Sequence, residues 1–460
     1  VYHQGGRMKI GYLTFGRDDF GYGLALCADK LKGHDFYRVT PKTAKYVDVL
    51  LFSCFWWEHI YLLADFLRRA GIKQGEGPRV IVGGFNTFNP IPFQAYADAV
   101  VCGDGEDIIT AVAEGKDPGL IWRNAAPLAA FSCVTNNVTR LEVARGCRYK
   151  CRFCAVSSLK PYREVDISEI EPLIKHAATK KISAFSPEPT LHSRNAEITE
   201  LCHRYGKTRL DTDVRLDRIA KRHNDGGLLR CGIEGVSERL RKSVNKGYSN
   251  DFIYESVKKA IINKRPGMLF YIILDLPGEC AEDFEEFKTL LHRFEDIKGC
   301  EDFLLIPSPS VFMPNPHTQM EYDAIHWERD YGTLWRHLFR EHIGIGERPW
   351  KYMMAERARV FGPTARVLSM LSTRAGDEFF EIERELSQKK IISISGGRVR
   401  CSSKRGLIGV LERFGGVEKY TGHRDKASAP WNALRFKPLS SQASAVSVPE
   451  TLREDRCQDV

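Results

Sequence analysis

No apolar run in this 460-residue sequence approaches the roughly 18–20 residues that a membrane-spanning helix needs. The first residues also lack the basic, apolar and small-residue succession of a secretory leader. A soluble, cytoplasmic protein with no membrane partner is therefore expected. A concentrated basic stripe is missing too. Lys and Arg number 68 against 59 Asp and Glu, and the resulting +9 is spread thinly. Such a surplus permits an anionic partner but does not demand a nucleic acid. What is present suffices for a core: 43% hydrophobic and 11% aromatic residues exclude wholesale disorder. At about 100–200 residues per domain, the length allows two to four domains.

From Met8, short apolar runs alternate with helical patterns. Lys9–Thr14, Tyr46–Cys54 and Arg79–Gly84 read as buried parallel strands, and Trp56–Ala70 has apolar residues at helical spacing. Ala97–Cys102 then enters a Gly-Asp-Gly-Glu turn, Gly103–Glu106, that opens another helix. This alternation, with Gly turns at strand ends, predicts a doubly wound, Rossmann-like α/β domain over 8–114. Its ligand crevice is expected at the carboxyl ends of the strands. Residues 115–138, with Lys-Asp-Pro-Gly and Asn-Ala-Ala-Pro, read as a linker. A second α/β series over 139–322 offers strand candidates at 140–144, 182–186, 209–214, 229–234, 268–274 and 303–307. These repeated units predict a partial (β/α)6 barrel with its active face at the strand carboxyl ends. A mainly helical domain is expected over 323–425, with a β-like piece at 390–401. A Ser-, Ala- and Pro-rich tail over 426–460 reads as disordered.

Thirteen cysteines are an odd count in a long chain, which excludes a fully paired disulfide frame. Ten are scattered singly and read as small buried hydrophobes or inert thiols. The other three share one loop after the first barrel strand: Arg145-Gly-Cys147-Arg-Tyr-Lys-Cys151-Arg-Phe-Cys154. Three thiolates at this spacing can face a single metal centre, and Arg145, Arg148, Lys150 and Arg152 are placed to help them ionise. A structural zinc site wants four protein ligands, yet no further His or Cys follows before His176. An iron–sulfur cluster on three thiolates leaves one iron open for a small ligand. A non-catalytic binding module stabilised by zinc or a cluster is the competing reading of the same loop.

These residues resemble the signature of the radical S-adenosylmethionine (SAM) superfamily, C-x3-C-x2-C with an aromatic, here Phe153, before the last Cys. The likeness continues downstream. Cys231–Gly247 (CGIEGVSERLRKSVNKG) is similar to the family's fourth strand and the helix after it. Ile272–Glu279 (IILDLPGE) is similar to a fifth-strand segment ending in Pro-Gly-Glu, with Asp275 where many relatives have Gly. Phe312–Thr318 (FMPNPHT) resembles a sixth-strand segment of members that carry a cobalamin-type domain. The resemblance implies an enzyme with a [4Fe–4S] cluster on Cys147, Cys151 and Cys154, whose open iron takes the amino and carboxyl groups of SAM. One electron then cleaves SAM to methionine and a 5′-deoxyadenosyl radical, for hydrogen abstraction or methyl transfer on an unidentified substrate. An electron donor such as flavodoxin or ferredoxin is implied as partner. The resemblance also suggests SAM contacts. They are Ser186 and Glu188 in a variant of a Gly-Gly-Glu-Pro motif, then Arg215, Glu234, Ser237, Arg241, Gly278 and Glu279. An Arg suits the methionyl carboxylate because its planar fork binds both oxygens.

Residues 8–114 resemble the cobalamin-binding-type domain that precedes the barrel in a large subgroup of this superfamily. There a His in the first loop often supplies the lower cobalt ligand. Here that loop is Phe15–Gly23 (FGRDDFGYG), with Asp18, Asp19 and glycines but no His. Imidazole is the usual protein donor to such a metal. Cobalamin is thus either held without a protein ligand or lost. The region also invites comparison with tRNA-modifying methylthiotransferases, whose N-terminal domain holds a second cluster on three cysteines. Cys54 matches one of those places, while Arg17 and Gly84 occupy the others. Trp56 and Trp57, at a strand-to-helix junction, either line the crevice or pack at an interface. An RNA-facing role rests on Arg336, Arg340, Arg348 and Lys351, which read equally as a solvated face.

Overall fold

A computed structural model describes residues 6–14, 21–116, 119–123, 128–210, 214–221, 227–300, 303–335, 362–426 and 429. The first sheet follows from runs such as VLLFS and RVIVG, Leu- and Val-rich and buried along nearly their whole length, which favours central parallel strands. Its strands are β1 (Lys9–Leu13), β2 (Asp35–Arg38), β3 (Val49–Ser53), β4 (Arg79–Gly83), β5 (Ala99–Gly103) and β6 (Gly119–Arg123). All pair in parallel, in the order β2-β1-β3-β4-β5-β6. The order reverses between β1 and β3, the place where a doubly wound sheet opens its ligand crevice. The helix His59–Ala70 buries Ile60, Leu63, Phe66 and Leu67 and stops at Gly71, whose φ of 67° supplies the left-handed cap.

Residues 115–138 are not a plain linker. They contain β6, which extends the first sheet past residue 114, and β7 (Ser132–Thr135), which forms a hairpin with β8 (Val138–Glu142). The hairpin turns on Asn136 and Asn137, with φ of 48° and 58°, the left-handed pair that a two-residue type I′ turn needs. Short strands flanked by Pro, Gly and Asn read as loop because the turn residues dominate the local composition.

The second unit contains six longer parallel strands in two arcs. One arc is β8 with β11 (Lys181–Phe185) and β12 (Thr208–Leu210), edged by antiparallel β7. The other is β13 (Leu229–Glu234), β14 (Gly267–Leu274) and β15 (Leu304–Val311). Two short strands, β9 (Ala144–Arg145) and β10 (Arg163–Glu164), pair beside the first arc. A hydrogen bond from Val214 N to Arg230 O (3.0 Å) bridges the arcs, so together they make the partial barrel. The C-terminal part is mainly helical: Pro363–Arg374, Phe379–Gln388, Lys404–Leu411 and Glu418–Thr421. The β-like piece is a hairpin of β16 (Ile392–Ser395) and β17 (Arg398–Cys401), turning on Gly396 and Gly397. No described helix is long and apolar enough to cross a membrane.

One apolar core runs through all three parts, joining Phe52 and Leu63 to Ile233 and Leu274 and to Leu371 and Leu386. Polar contacts fix the angle of the C-terminal helices on the first domain. Tyr61 OH donates to Leu368 O (2.8 Å), and Asn89 Nδ2 donates to Thr373 O and Ala375 O (3.1 and 2.8 Å). The buried Glu383 accepts both Arg68 Nη2 bonds (2.7 and 2.8 Å) and the Tyr96 hydroxyl (3.3 Å). Glu383→Ala should therefore lower the unfolding free energy by roughly 2 kcal/mol, and Glu383→Gln by less, measured by urea denaturation. An unchanged urea midpoint in the alanine variant would remove this contact from the packing account.

Candidate active site

The three-cysteine loop leaves the barrel at the carboxyl end of its first strand. Gly146 makes the turn at φ 79°, and a Cβ there would lie 2.3 Å from Pro161 O, so only glycine fits. The loop is stapled to the segment after β13. Arg152 N donates to Val244 O (3.2 Å), Arg152 Nη1 to Ser243 O (2.8 Å), and Asn245 Nδ2 to Lys150 O (2.8 Å). Cys154 opens the helix Ala155–Leu159, and the Ser157 and Ser158 hydroxyls donate to its carbonyl (3.0 and 3.1 Å). Phe153 packs against the main core and holds the loop from below.

All three cysteines are partly buried. Burial pushes the Cys147 and Cys151 thiols up, and each feels the Cys154 sulfur. Lys246 and Arg215 pull Cys151 back down. Arg215 Nη1 lies 4.0 Å from Cys151 Sγ, its guanidinium 3.5 Å above the centre of the Tyr149 ring. This donor set fits a cubane cluster, which carries its thiolates on separate irons. A zinc ion instead draws its sulfurs to about 2.3 Å of one centre. Among the described residues no group of three or more His, Cys, Asp or Glu closes on a single ion.

The loop's own cations do not serve the thiols as expected. Arg145 turns away into a set of carboxylates from two domains. It binds Glu142 with two bonds (2.8 and 2.6 Å), Asp104 at 3.1 Å, and Glu106. Lys160 and Arg163 complete the set on Asp104 (2.7 and 2.8 Å). Burial opposes ionisation of Asp104, but Lys160 and Arg145 outweigh it and hold the carboxyl well below the usual carboxylate range. The Gly-Asp-Gly-Glu turn at the carboxyl end of β5 is thus clamped to the base of the cysteine loop. Beside it, Phe88 packs on Ala155 and Leu159. Arg148 pairs with Glu164 (3.2 Å) and stacks on Tyr162. Sequence reading missed this clamp; its one trace was an acidic turn at a strand end.

The structure separates the SAM-contact candidates into two groups. Four groups lie in the field of the thiols: Glu188 near Cys147, and Arg215, Glu234 and Lys246 near Cys151. Glu188 is already committed. Its Oε2 accepts from Arg215 N (2.6 Å) and its Oε1 from the Thr190 hydroxyl (2.6 Å). Ser186 Oγ accepts from Glu188 N (3.2 Å) and completes that turn. Glu234, at φ 68°, pairs with Lys246 (3.1 Å), a residue the sequence reading did not single out.

Ser237 and Arg241 do structural work instead. The Ser237 hydroxyl caps the helix Glu238–Ser243 and donates to Asp283 Oδ1 (2.5 Å). Arg241 is fully buried, and its donors go to the carbonyls of Tyr248 (2.6 Å), Gly235 (3.1 Å) and Val236, and to Asn250. Burial pushes its guanidinium down to about 10. A side chain with these commitments cannot turn to clamp a carboxylate. A capping Ser and a buried Arg use the same residue types as a ligand site, so spacing alone could not tell them apart.

At the end of β14, Asp275 docks the C-terminal part. At φ 63°, its carboxylate accepts from His326 Nδ1 (2.6 Å), His326 N (3.0 Å), the Tyr331 hydroxyl (2.7 Å) and Arg366. Gly278 O accepts from Arg239 (2.9 Å), and Glu279 Oε1 accepts from Asp275 N (3.0 Å). The buried Glu279 Oε2 finds no partner among the described residues. His317, in the FMPNPHT segment, reaches Phe88 O through Nε2 (2.9 Å), tying the sixth strand to the first domain.

In the N-terminal crevice, Cys54 is fully buried and burial pushes its thiol up. Gly84, at φ 108°, is pressed onto it, and a Cβ there would meet Cys54 O at 2.6 Å. Trp57 is buried beside Tyr61 at the interface with the C-terminal helices, whereas Trp56 is half exposed next to Phe55. Arg17, Asp18 and Asp19 lie outside the described residues, as do Arg336, Arg340, Arg348 and Lys351.

The fold and the site together present a partial parallel barrel with a glycine-turned, three-thiol loop after its first strand. The comparisons agree. Residues 141–291 match the Radical SAM superfamily model, so this stretch carries a radical SAM domain. Similar curated proteins include ribosomal protein uS12 methylthiotransferases. That of Chromobacterium violaceum is 23% identical over 209 residues, 38% of this chain and 47% of its own length. That of Aquifex aeolicus is 27% identical over 177 residues, 33% and 40% of the two chains. This chain thus spans less than half the length of these relatives. The solved radical SAM methyltransferase TsrM from Kitasatospora setae, with cobalamin and a [4Fe–4S] cluster bound, is 14% identical with a TM-score of 0.48. The match covers 88% of this chain and 90% of that one. The cobalamin-dependent radical enzyme OxsB with aqua-cobalamin is 12% identical with a TM-score of 0.44, covering 86% and 64%. Likenesses of that size carry no functional argument.

Burial pushes Glu279 up from 4.5 to about 7. A carboxyl raised on folding stabilises the fold below its unfolded value and loses that contribution as pH rises through the folded one. Unfolding free energy should therefore fall between about pH 4.5 and 7, and Glu279→Gln should flatten that slope in urea titrations. Identical slopes in the two proteins would show that Glu279 is solvated.

Proposed function

We propose that this chain cleaves SAM reductively at the thiolate loop and directs the outcome to an unactivated carbon of an unidentified substrate. The outcome is hydrogen abstraction, or methyl transfer if a methyl carrier is bound. The observation that carries this reading is a set of three partly buried thiols in one glycine-turned loop, with Arg215 Nη1 4.0 Å from Cys151 Sγ. When bound, a [4Fe–4S] cluster on Cys147, Cys151 and Cys154 supplies the electron that breaks a carbon–sulfur bond of SAM.

The chain's own residues contribute placement and shielding. Arg215, held flat on Tyr149, spends its Nε–Nη2 edge on Asp217 (3.0 and 3.3 Å) and keeps Nη1 on the thiol side for the methionyl carboxylate. The Glu234–Lys246 pair offers Glu234 to the amino group. Water is excluded by the first domain's sheet edge and by the C-terminal helices, which close on the barrel through the Asp104 and Asp275 networks.

The methyl-transfer branch calls for a cobalamin in the N-terminal crevice. That crevice offers no imidazole from its first loop, and His59 Nδ1 already accepts from Phe55 N (2.9 Å). A cobalamin there would take no imidazole ligand from that loop. The methylthiotransferase reading is not favoured, because Gly84 is pressed onto a buried Cys54 and no three-cysteine set forms there among the described residues.

Anaerobic reconstitution with iron and sulfide should give a brown protein with about four irons per chain. With dithionite it should convert SAM to methionine and 5′-deoxyadenosine. A colourless, zinc-loaded protein that leaves SAM intact would overturn the proposal. Cobalamin in the spectrum of the anaerobically purified protein selects methyl transfer, and its absence selects hydrogen abstraction.

A further inference from the structure

We propose that the outer rim of the thiolate loop, formed by Lys150, Arg152 and Lys242, is the docking surface for a small acidic one-electron carrier protein. This rests on the function proposed above, in which each SAM cleaved consumes one electron delivered from outside the barrel.

The cations around Cys151 divide by burial. Arg215 and Lys246 are almost wholly covered and act on the thiol itself. Lys150, Arg152 and Lys242 are exposed, and none of them has a carboxylate within ion-pair distance among the described residues. Their neighbours differ. Arg148 is paired with Glu164 and Arg239 with Asp283, so those charges are neutralised within the chain. Asp323 feels Arg152 but forms no ion pair with it.

The backbone that carries the three cations is held in place, and so is the Arg152 guanidinium. Arg152 N and Nη1 bond to Val244 O and Ser243 O, and Asn245 Nδ2 bonds to Lys150 O. Lys242 therefore sits on a segment tied directly to the two residues that flank Cys151. Positive charges on an anchored backbone complement a partner with acidic side chains around its redox group, and Lys150 and Arg152 place that partner beside Cys151.

The test compares two reductants on the reconstituted full chain. Wild type and Lys150→Glu/Lys242→Glu are assayed for SAM cleavage with dithionite and with a reduced flavodoxin, and flavodoxin binding is measured separately by calorimetry. Iron content checks loading, and the milder Lys150→Ala/Lys242→Ala variant guards against misfolding. The expected result is about a tenfold loss of flavodoxin-driven cleavage and of flavodoxin binding in the charge-reversed variant, with the dithionite rate unchanged. Wild-type cleavage with flavodoxin should also fall as salt is raised. Undiminished flavodoxin binding and turnover in the variant overturns the proposal. So does an equal loss with both reductants, or a loss confined to tRNA binding in a gel-shift assay, which would make the rim a nucleic-acid contact. If wild type cleaves no SAM with dithionite, the function proposed above fails, while the binding measurement still decides the docking surface.

Discussion

A single buried guanidinium holds the arrangement together. Arg145 stands at the base of the cysteine loop and receives carboxylates from its own strand, through Glu142, and from the first domain, through Asp104 and Glu106. Removing one partner from a buried ion pair costs roughly 3–5 kcal/mol, because the remaining charge is left unsolvated. The two domains therefore cannot separate at this point without stranding charge on both sides. The loop's position is set by the same contacts that dock the domains.

The consequence is functional. The carboxyl ends of the first sheet's strands and those of the barrel are turned toward one another, with the Phe88 contact to the post-cysteine helix alongside the clamp. The N-terminal crevice and the cysteine loop are therefore neighbours. On the opposite side of the barrel mouth, Asp275 gathers His326, Tyr331 and Arg366 and brings in the C-terminal helices. Two acid-centred networks thus dock the first domain and the C-terminal helices on the barrel.

Much of the fold was legible because burial imposes a pattern. Leu229–Glu234 and Lys181–Phe185 lie where apolar runs between helical stretches placed them. The β7–β8 hairpin was not legible, since two asparagines at its turn look like loop until their left-handed backbone is seen. The cysteine loop declared itself by spacing alone. Its supports did not. Arg145 and Glu106 lie 39 residues apart in different domains, and nothing local marks them as a pair. Arg241 and Ser237 show the converse: a motif places a residue near a site, but only packing decides whether its polar atoms face the ligand or the backbone. Asp275 looked like a defect in a glycine motif and is the anchor of a third region.

The most direct test of the clamp is hydrogen exchange across residues 146–154 in Asp104→Asn/Glu106→Gln, compared with wild type, alongside the cluster's visible spectrum. If the carboxylates position the loop, its amides should exchange faster and the cluster absorbance should fall, while exchange in the distant strand Gly267–Leu274 stays slow. Unchanged protection of the loop with a full cluster spectrum would show that the cysteines are placed without the first domain.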